Sequence, residues 1–104
     1  MKIVQDVRAF VADRSWGALD LAAIDGATVR LHWTREPYVW HVNDGPEVFV
    51  VLDGAVEMKY RRDGREQTVR LEAADIFVAE PGDEHVAVPD GEARILVVER
   101  AGSV

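Results

Sequence analysis

Apolar and polar residues alternate along most of this chain with a period of two, the spacing of a half-buried β-strand. Val29, Leu31 and Trp33 alternate with Thr28, Arg30 and His32, and Val56, Met58 and Tyr60 alternate with Glu57, Lys59 and Arg61. Asp-Gly pairs punctuate the pattern at Asp25-Gly26, Asp44-Gly45, Asp53-Gly54, Asp63-Gly64 and Asp90-Gly91. They account for five of the eight glycines, so most of the glycine serves tight turns that need positive φ. The pattern predicts strands over 18–24, 27–33, 38–42, 47–52, 55–61, 66–71, 76–79, 84–88 and 93–99. Short strands with frequent turns indicate an all-β sandwich or barrel. Ile3, Val4, Val7, Phe10 and Val11 fit a helical face as well as a strand, so residues 1–15 stay open. No repeat or linker interrupts the rest, and one domain over 1–104 is expected.

Composition narrows the chemistry. Of the 104 residues, 48% are hydrophobic and 30% charged, the balance of a soluble globular protein with a single core. The longest apolar run, Val48 to Leu52, is far short of the roughly 20 residues that cross a bilayer. The start of the chain turns polar before a signal-peptide core could form, so a cytoplasmic protein is expected. There is no cysteine, which removes disulfides, thiolate metal sites and cysteine nucleophiles. Serine occurs only at Ser15 and Ser103, and no Gly-rich phosphate loop is present, so serine catalysis and nucleotide chemistry are disfavoured. A formal charge of −7 argues against nucleic-acid binding, and the basic cluster Arg61, Arg62 and Arg65 reads as a solvated hairpin tip around Asp63-Gly64.

The chemically informative stretch runs from Tyr38 to Gly54. On a strand, His41 and Asn43 point to one face. Asp44-Gly45-Pro46 then breaks the strand and Glu47 opens the next. If Glu47 shares the interior with His41, Phe49 and Val51 line that interior as well, while Val48 and Val50 pack on the other face. Tyr38, Phe49 and Val51 are the expected pocket wall. Trp40 should face away from His41. His32 reads as an exposed or partly buried strand residue, with a place in the pocket wall as its alternative, and Trp16, Trp33 and Trp40 read as core or interface rather than ligand platforms. Asp83 and Glu84 read as solvated turn residues ahead of His85.

His41-Val42-Asn43, three residues, Glu47, six residues and Gly54 resemble the first motif of the cupin superfamily, His-x-His, three residues, Glu, six residues, Gly. Asn43 stands where the second histidine is usual. The second motif is similar at Gly82 and His85, with Ala74 in place of its first glycine, Glu80 at the proline position beside Pro81, and Pro89 in place of the final asparagine. The resemblance covers about Trp16 to the C-terminus and is to small bacterial cupins of the cupin-2 type. It implies a jelly-roll barrel over 16–104 and one divalent ion held by His41, Glu47 and His85, with Asn43 as a weaker fourth ligand. Fe, Mn, Ni and Zn are the candidate ions. Amide oxygen is a poorer partner than imidazole for Zn, Fe or Ni, although two imidazoles and a carboxylate suffice for a facial non-haem iron set.

Two functions compete at this level. One is metal-dependent chemistry on a small molecule. The other is a metal-free module that binds or senses a small ligand, which the asparagine at position 43 favours. The sequence leaves open whether the protein is an enzyme. The apolar N-terminal segment and the open sheet edges lead to the expectation of a homodimer, with no nucleic-acid or membrane partner.

Overall fold

A computed structural model describes residues 1–103. Nine strands are formed among them: Gly17–Ile24 (β1), Ala27–Thr34 (β2), His41–Val42 (β3), Glu47–Asp53 (β4), Ala55–Arg62 (β5), Arg65–Glu72 (β6), Ile76–Ala79 (β7), Glu84–Pro89 (β8) and Ala93–Arg100 (β9). They make two antiparallel sheets, a larger one ordered β1-β2-β9-β4-β7 and a smaller one ordered β3-β8-β5-β6. The chain is all-β, and the two sheets face each other as a jelly-roll barrel. No helix among the described residues is long and apolar enough to cross a membrane.

Turn chemistry closes the hairpins as the Asp-Gly pairs predict. Asp25 and Gly26 take φ of 47° and 83° between β1 and β2, and Asp63 and Gly64 take 53° and 74° between β5 and β6. Positive φ at both central residues matches the twist of the flanking strands. Gly54 has φ 82°, and a Cβ there would collide with the backbone carbonyl of Glu92. Ala74, at the motif's first glycine position, also holds positive φ, at 80°. The backbone keeps the glycine-type turn although the residue has changed.

The alternation sets the core. On β4 the buried residues are Glu47, Phe49 and Val51, with Val48 and Val50 less buried on the opposite face. Val51, Val56, Met58 and Ile95 are almost fully buried and form the centre of the core with Phe49, Leu71, Ala87, Ala93 and Val97. Each valine, leucine, isoleucine, methionine or phenylalanine among them contributes about 1.5–3 kcal/mol of apolar burial.

Two expectations change, and the segment left open takes a form. The strand expected over 38–42 shrinks to His41–Val42. Pro37 removes one backbone donor and restricts its neighbour, and Tyr38 makes a single ladder-like bond, its N–H donating to the Ala87 carbonyl at 3.0 Å. The N-terminal segment is neither helix nor strand beyond a 3-10 turn at Val7–Ala9, capped by the Asp6 carboxylate accepting from the Arg8 N–H. It is tied to the barrel where Arg94 Nε donates to the Phe10 carbonyl at 3.0 Å. Glu84 opens β8, as the strand expected over 84–88 has it, but it is half-buried and paired with Arg61 at 2.6 Å and is not solvated in a turn.

Candidate metal centre

Strand pairing brings the two histidines together before any side chain is considered. His41 on β3 is the direct cross-strand partner of His85 on β8, and their ring centroids lie 4.3 Å apart. Glu47 enters from the facing sheet, at the start of β4. One ligand atom from each of His41, Glu47 and His85 lies within 4.8 Å of the others. His85 is 2% exposed and Glu47 is 7% exposed, whereas His41 is only half-buried, toward the opening.

Asn43 sits in the loop that carries the chain from β3 to β4. Its amide Nδ2 donates to Glu47 Oε1 and to the Gly45 carbonyl, both at 3.3 Å, and its Oδ1 lies against His85 Nε2. His85 Nε2 is also 3.3 Å from Glu47 Oε1. Both oxygens accept, so Nε2 carries the proton in this arrangement, while Nδ1 is buried without a partner. His41 is oriented differently. Its Nδ1 meets the Val39 carbonyl at 3.0 Å, and since a carbonyl only accepts, Nδ1 is protonated and Nε2 keeps its lone pair.

Two carboxylates meet on adjacent strands here, Glu47 on β4 and its register partner Glu99 on β9. Burial alone would raise Glu47, but hydrogen bonds from His85 and Asn43, with the neighbouring imidazoles of His85 and His41, hold it below the ordinary carboxylate value. Among the described residues no side chain donates a hydrogen bond to the Glu99 carboxylate. Burial, and then the charge of Glu47, push it up to about 7.

These groups open into a cavity of about 240 Å³. Tyr38 and Phe49 line it, and Val51 does not. Val51 lies one inward position deeper along β4 and is sealed in the core with 0% exposure, so the pocket floor ends at Phe49. Trp16 and His32, read from sequence as packing and strand residues, both line the cavity. His32 Nδ1 donates to the Trp16 carbonyl at 3.0 Å, and burial lowers its pKa, so it is neutral. Trp16 reaches this wall through a left-handed backbone, φ 64°, which no local signal announces. Arg30 and Glu99 also line the cavity. Alternation placed Arg30 beside His32, but only the β2-β9-β4 neighbourhood brings both to the metal-site wall. Trp40 faces away, with the Arg61 guanidinium 4.1 Å above its ring.

The donor set suits a divalent ion. It combines one imidazole lone pair, a second imidazole, an ionised carboxylate and an amide oxygen, all convergent in a water-accessible cavity. No protein-family model matches this chain, and no curated protein matches it. Solved structures do. A cupin-2 domain protein from Shewanella frigidimarina NCIMB 400 is 26% identical at a TM-score of 0.76, over 86% of this chain and 84% of that one. A hydroquinone 1,2-dioxygenase in complex with Fe3+ is 17% identical at a TM-score of 0.75, over 86% of this chain but 29% of the larger protein. A hydroquinone 1,2-dioxygenase from Sphingomonas sp. TTNP3 with 4-hydroxybenzoate bound is 19% identical at a TM-score of 0.76, over 88% of this chain and 29% of that one. At that identity the dioxygenases share the fold alone. With the barrel and the two motif-like stretches, these likenesses give this chain the cupin fold and make it similar to cupin-2 domain proteins.

Proposed function

We propose that the protein is a metal-binding cupin in which His41, Glu47 and His85 hold one divalent ion, with Asn43 beside them, and that it acts on a small molecule entering the cavity. The observation that carries this reading is the convergence of two imidazoles and an ionised carboxylate from opposite sheets within 4.8 Å. A bound ion would act as a Lewis acid toward a substrate oxygen. The chain's own residues prepare for that. Val39 fixes the His41 tautomer with Nε2 free, Asn43 orients the Glu47 carboxylate, and Trp16, Tyr38 and Phe49 give the ligand an apolar wall. The iron-bound and 4-hydroxybenzoate-bound dioxygenases support an oxygen-bearing small molecule as the partner of such a site.

The test is the metal content of untagged protein purified without chelator, followed by titration with Fe(II), Mn(II), Ni(II) and Zn(II). One ion per chain is expected, lost in His41→Ala and His85→Ala. Unchanged metal content in His41→Ala would remove His41 from the ligand set. A second reading, a metal-free ligand-binding module, is favoured by the Asn43 hydrogen bonds, which give Glu47 and the Nε2 of His85 partners with no ion at all. It replaces the first if no ion binds better than weakly.

A homodimer is part of the proposal. Ile76 and Val78 on the outer face of β7 are 61% and 58% exposed, and Ile3 and Val11 of the N-terminal segment are also exposed. That is apolar surface a second copy could cover. Light scattering at micromolar concentration should give twice the chain mass, and a monomer would overturn this part.

A further inference from the structure

The large-sheet wall of the cavity carries a charge that the metal site does not use. Arg30, on β2, is the one permanent cation among the described residues that line the cavity. It is the register partner of Val97, which places it diagonally from Glu99 on the same face of the sheet. Diagonal neighbours are within reach of long side chains. Nevertheless, Arg30 makes no ion pair with Glu99. Its Nε lies instead 2.9 Å from Asp20 Oδ1 on edge strand β1, an ion pair whose geometry makes no hydrogen bond. Among the described residues its terminal nitrogens donate to nothing, although the side chain is more than half buried. A guanidinium in that state presents the edge that takes a carboxylate through two parallel hydrogen bonds.

The remaining walls limit what could bring that carboxylate. Trp16 and Tyr38 meet edge to face, ring centroids 5.3 Å apart, and Phe49 closes the floor. The cavity, about 240 Å³, is smaller than the range of about 300–1,000 Å³ usual for drug-sized ligands. It suits one ring or a short branched chain.

We infer that the cavity takes a small organic acid of roughly one ring, whose carboxylate is held by Arg30 and whose apolar body packs on Trp16, Tyr38 and Phe49. This deepens the proposed function and rests on it only for the far end of the ligand, which would face His41, Glu47 and His85. The carboxylate anchor itself needs no ion.

Benzoate and its neutral isostere benzamide are the probes, titrated calorimetrically into metal-free and Mn(II)-loaded protein. Benzoate should bind both forms about ten- to a hundred-fold more tightly than benzamide, the range of a charge-assisted hydrogen-bonded pair. Arg30→Met should remove that preference. Arg30→Lys, which keeps the charge and loses the fork, should retain part of it. Equal binding of the two probes, absence of benzoate binding, or a preference unchanged in Arg30→Met would overturn the inference. So would benzoate binding that needs Mn(II) and ignores Arg30, which would put the carboxylate on the ion. Titration of the wild type with Mn(II) alone reports the ion site separately. Failure of ion binding with benzoate still held by Arg30 would overturn the metal reading and leave this one standing.

Discussion

Along β4 and β9 the inward residues run from Glu47 and Glu99 through Phe49 and Val97 to Val51 and Ile95, so two strands build both a polar mouth and a dry floor. Strand alternation decides which face a residue takes, and position along the strand decides whether that face meets the cavity or the core. At the floor, stability comes from packing. At the mouth, polar groups are kept by hydrogen bonds among His85, Asn43 and Glu47. The lesson is that the site should be separable from the fold by mutation, and in both directions.

The largest effect is expected at the floor. Ile95→Ala should lower the unfolding free energy by about 2–5 kcal/mol, measured by urea denaturation, with metal affinity retained at temperatures where the variant stays folded. A loss below about 0.5 kcal/mol would mean that the floor is not packed as described. Next comes Gly54→Ala, where a left-handed φ of 82° and the Glu92 carbonyl both oppose a side chain. It should cost about 1–3 kcal/mol by the same measurement.

At the mouth, the two neighbouring carboxylates should respond to pH in opposite ways. Folding favours protonated Glu99, so its contribution is full below about 4.5, the ordinary value, and is lost as pH rises to about 7. Glu47 is depressed, so its contribution is present above 4.5 and is lost as pH falls through its folded-state pKa. Urea midpoints between pH 5 and 8 should therefore decline less in Glu99→Gln than in the wild type. An identical slope in the two proteins would show that Glu99 is not strained by its neighbour. The smallest effect is a gain. Ala74→Gly should stabilise the protein by about 0.5–1 kcal/mol by relieving positive φ, and a loss would mean that the alanine side chain packs better than its backbone suggests.

Much of the barrel was legible in the sequence because its signals are local. Asp25-Gly26 and Asp63-Gly64 announce their hairpins, and Glu47, Phe49 and Val51 share a face by simple alternation. The motif residues His41, Asn43, Glu47 and His85 announced their own neighbourhood. What was not legible depends on which strands become neighbours or on backbone that no residue type demands. Arg30 and Glu99 meet the cavity only because β9 inserts between β2 and β4. Trp16 turns into it through a left-handed residue that is not glycine. Val51 was placed on the correct face but at the wrong depth, since alternation carries no information about where a pocket ends.

The two-residue length of β3 has a kinetic meaning. His85 and Glu47 are carried by strands six and seven residues long, each paired on both sides, whereas His41 hangs on an edge strand with β8 as its single neighbour. Edge segments with few ladder bonds open locally at far lower free energy than the strands beneath them. An ion at this centre would therefore come and go by the lifting of one short edge, at a rate set by the His41–Val42 pairing and not by unfolding of the barrel. Exchange of the His41 amide with solvent and exchange of the ion should share one clock.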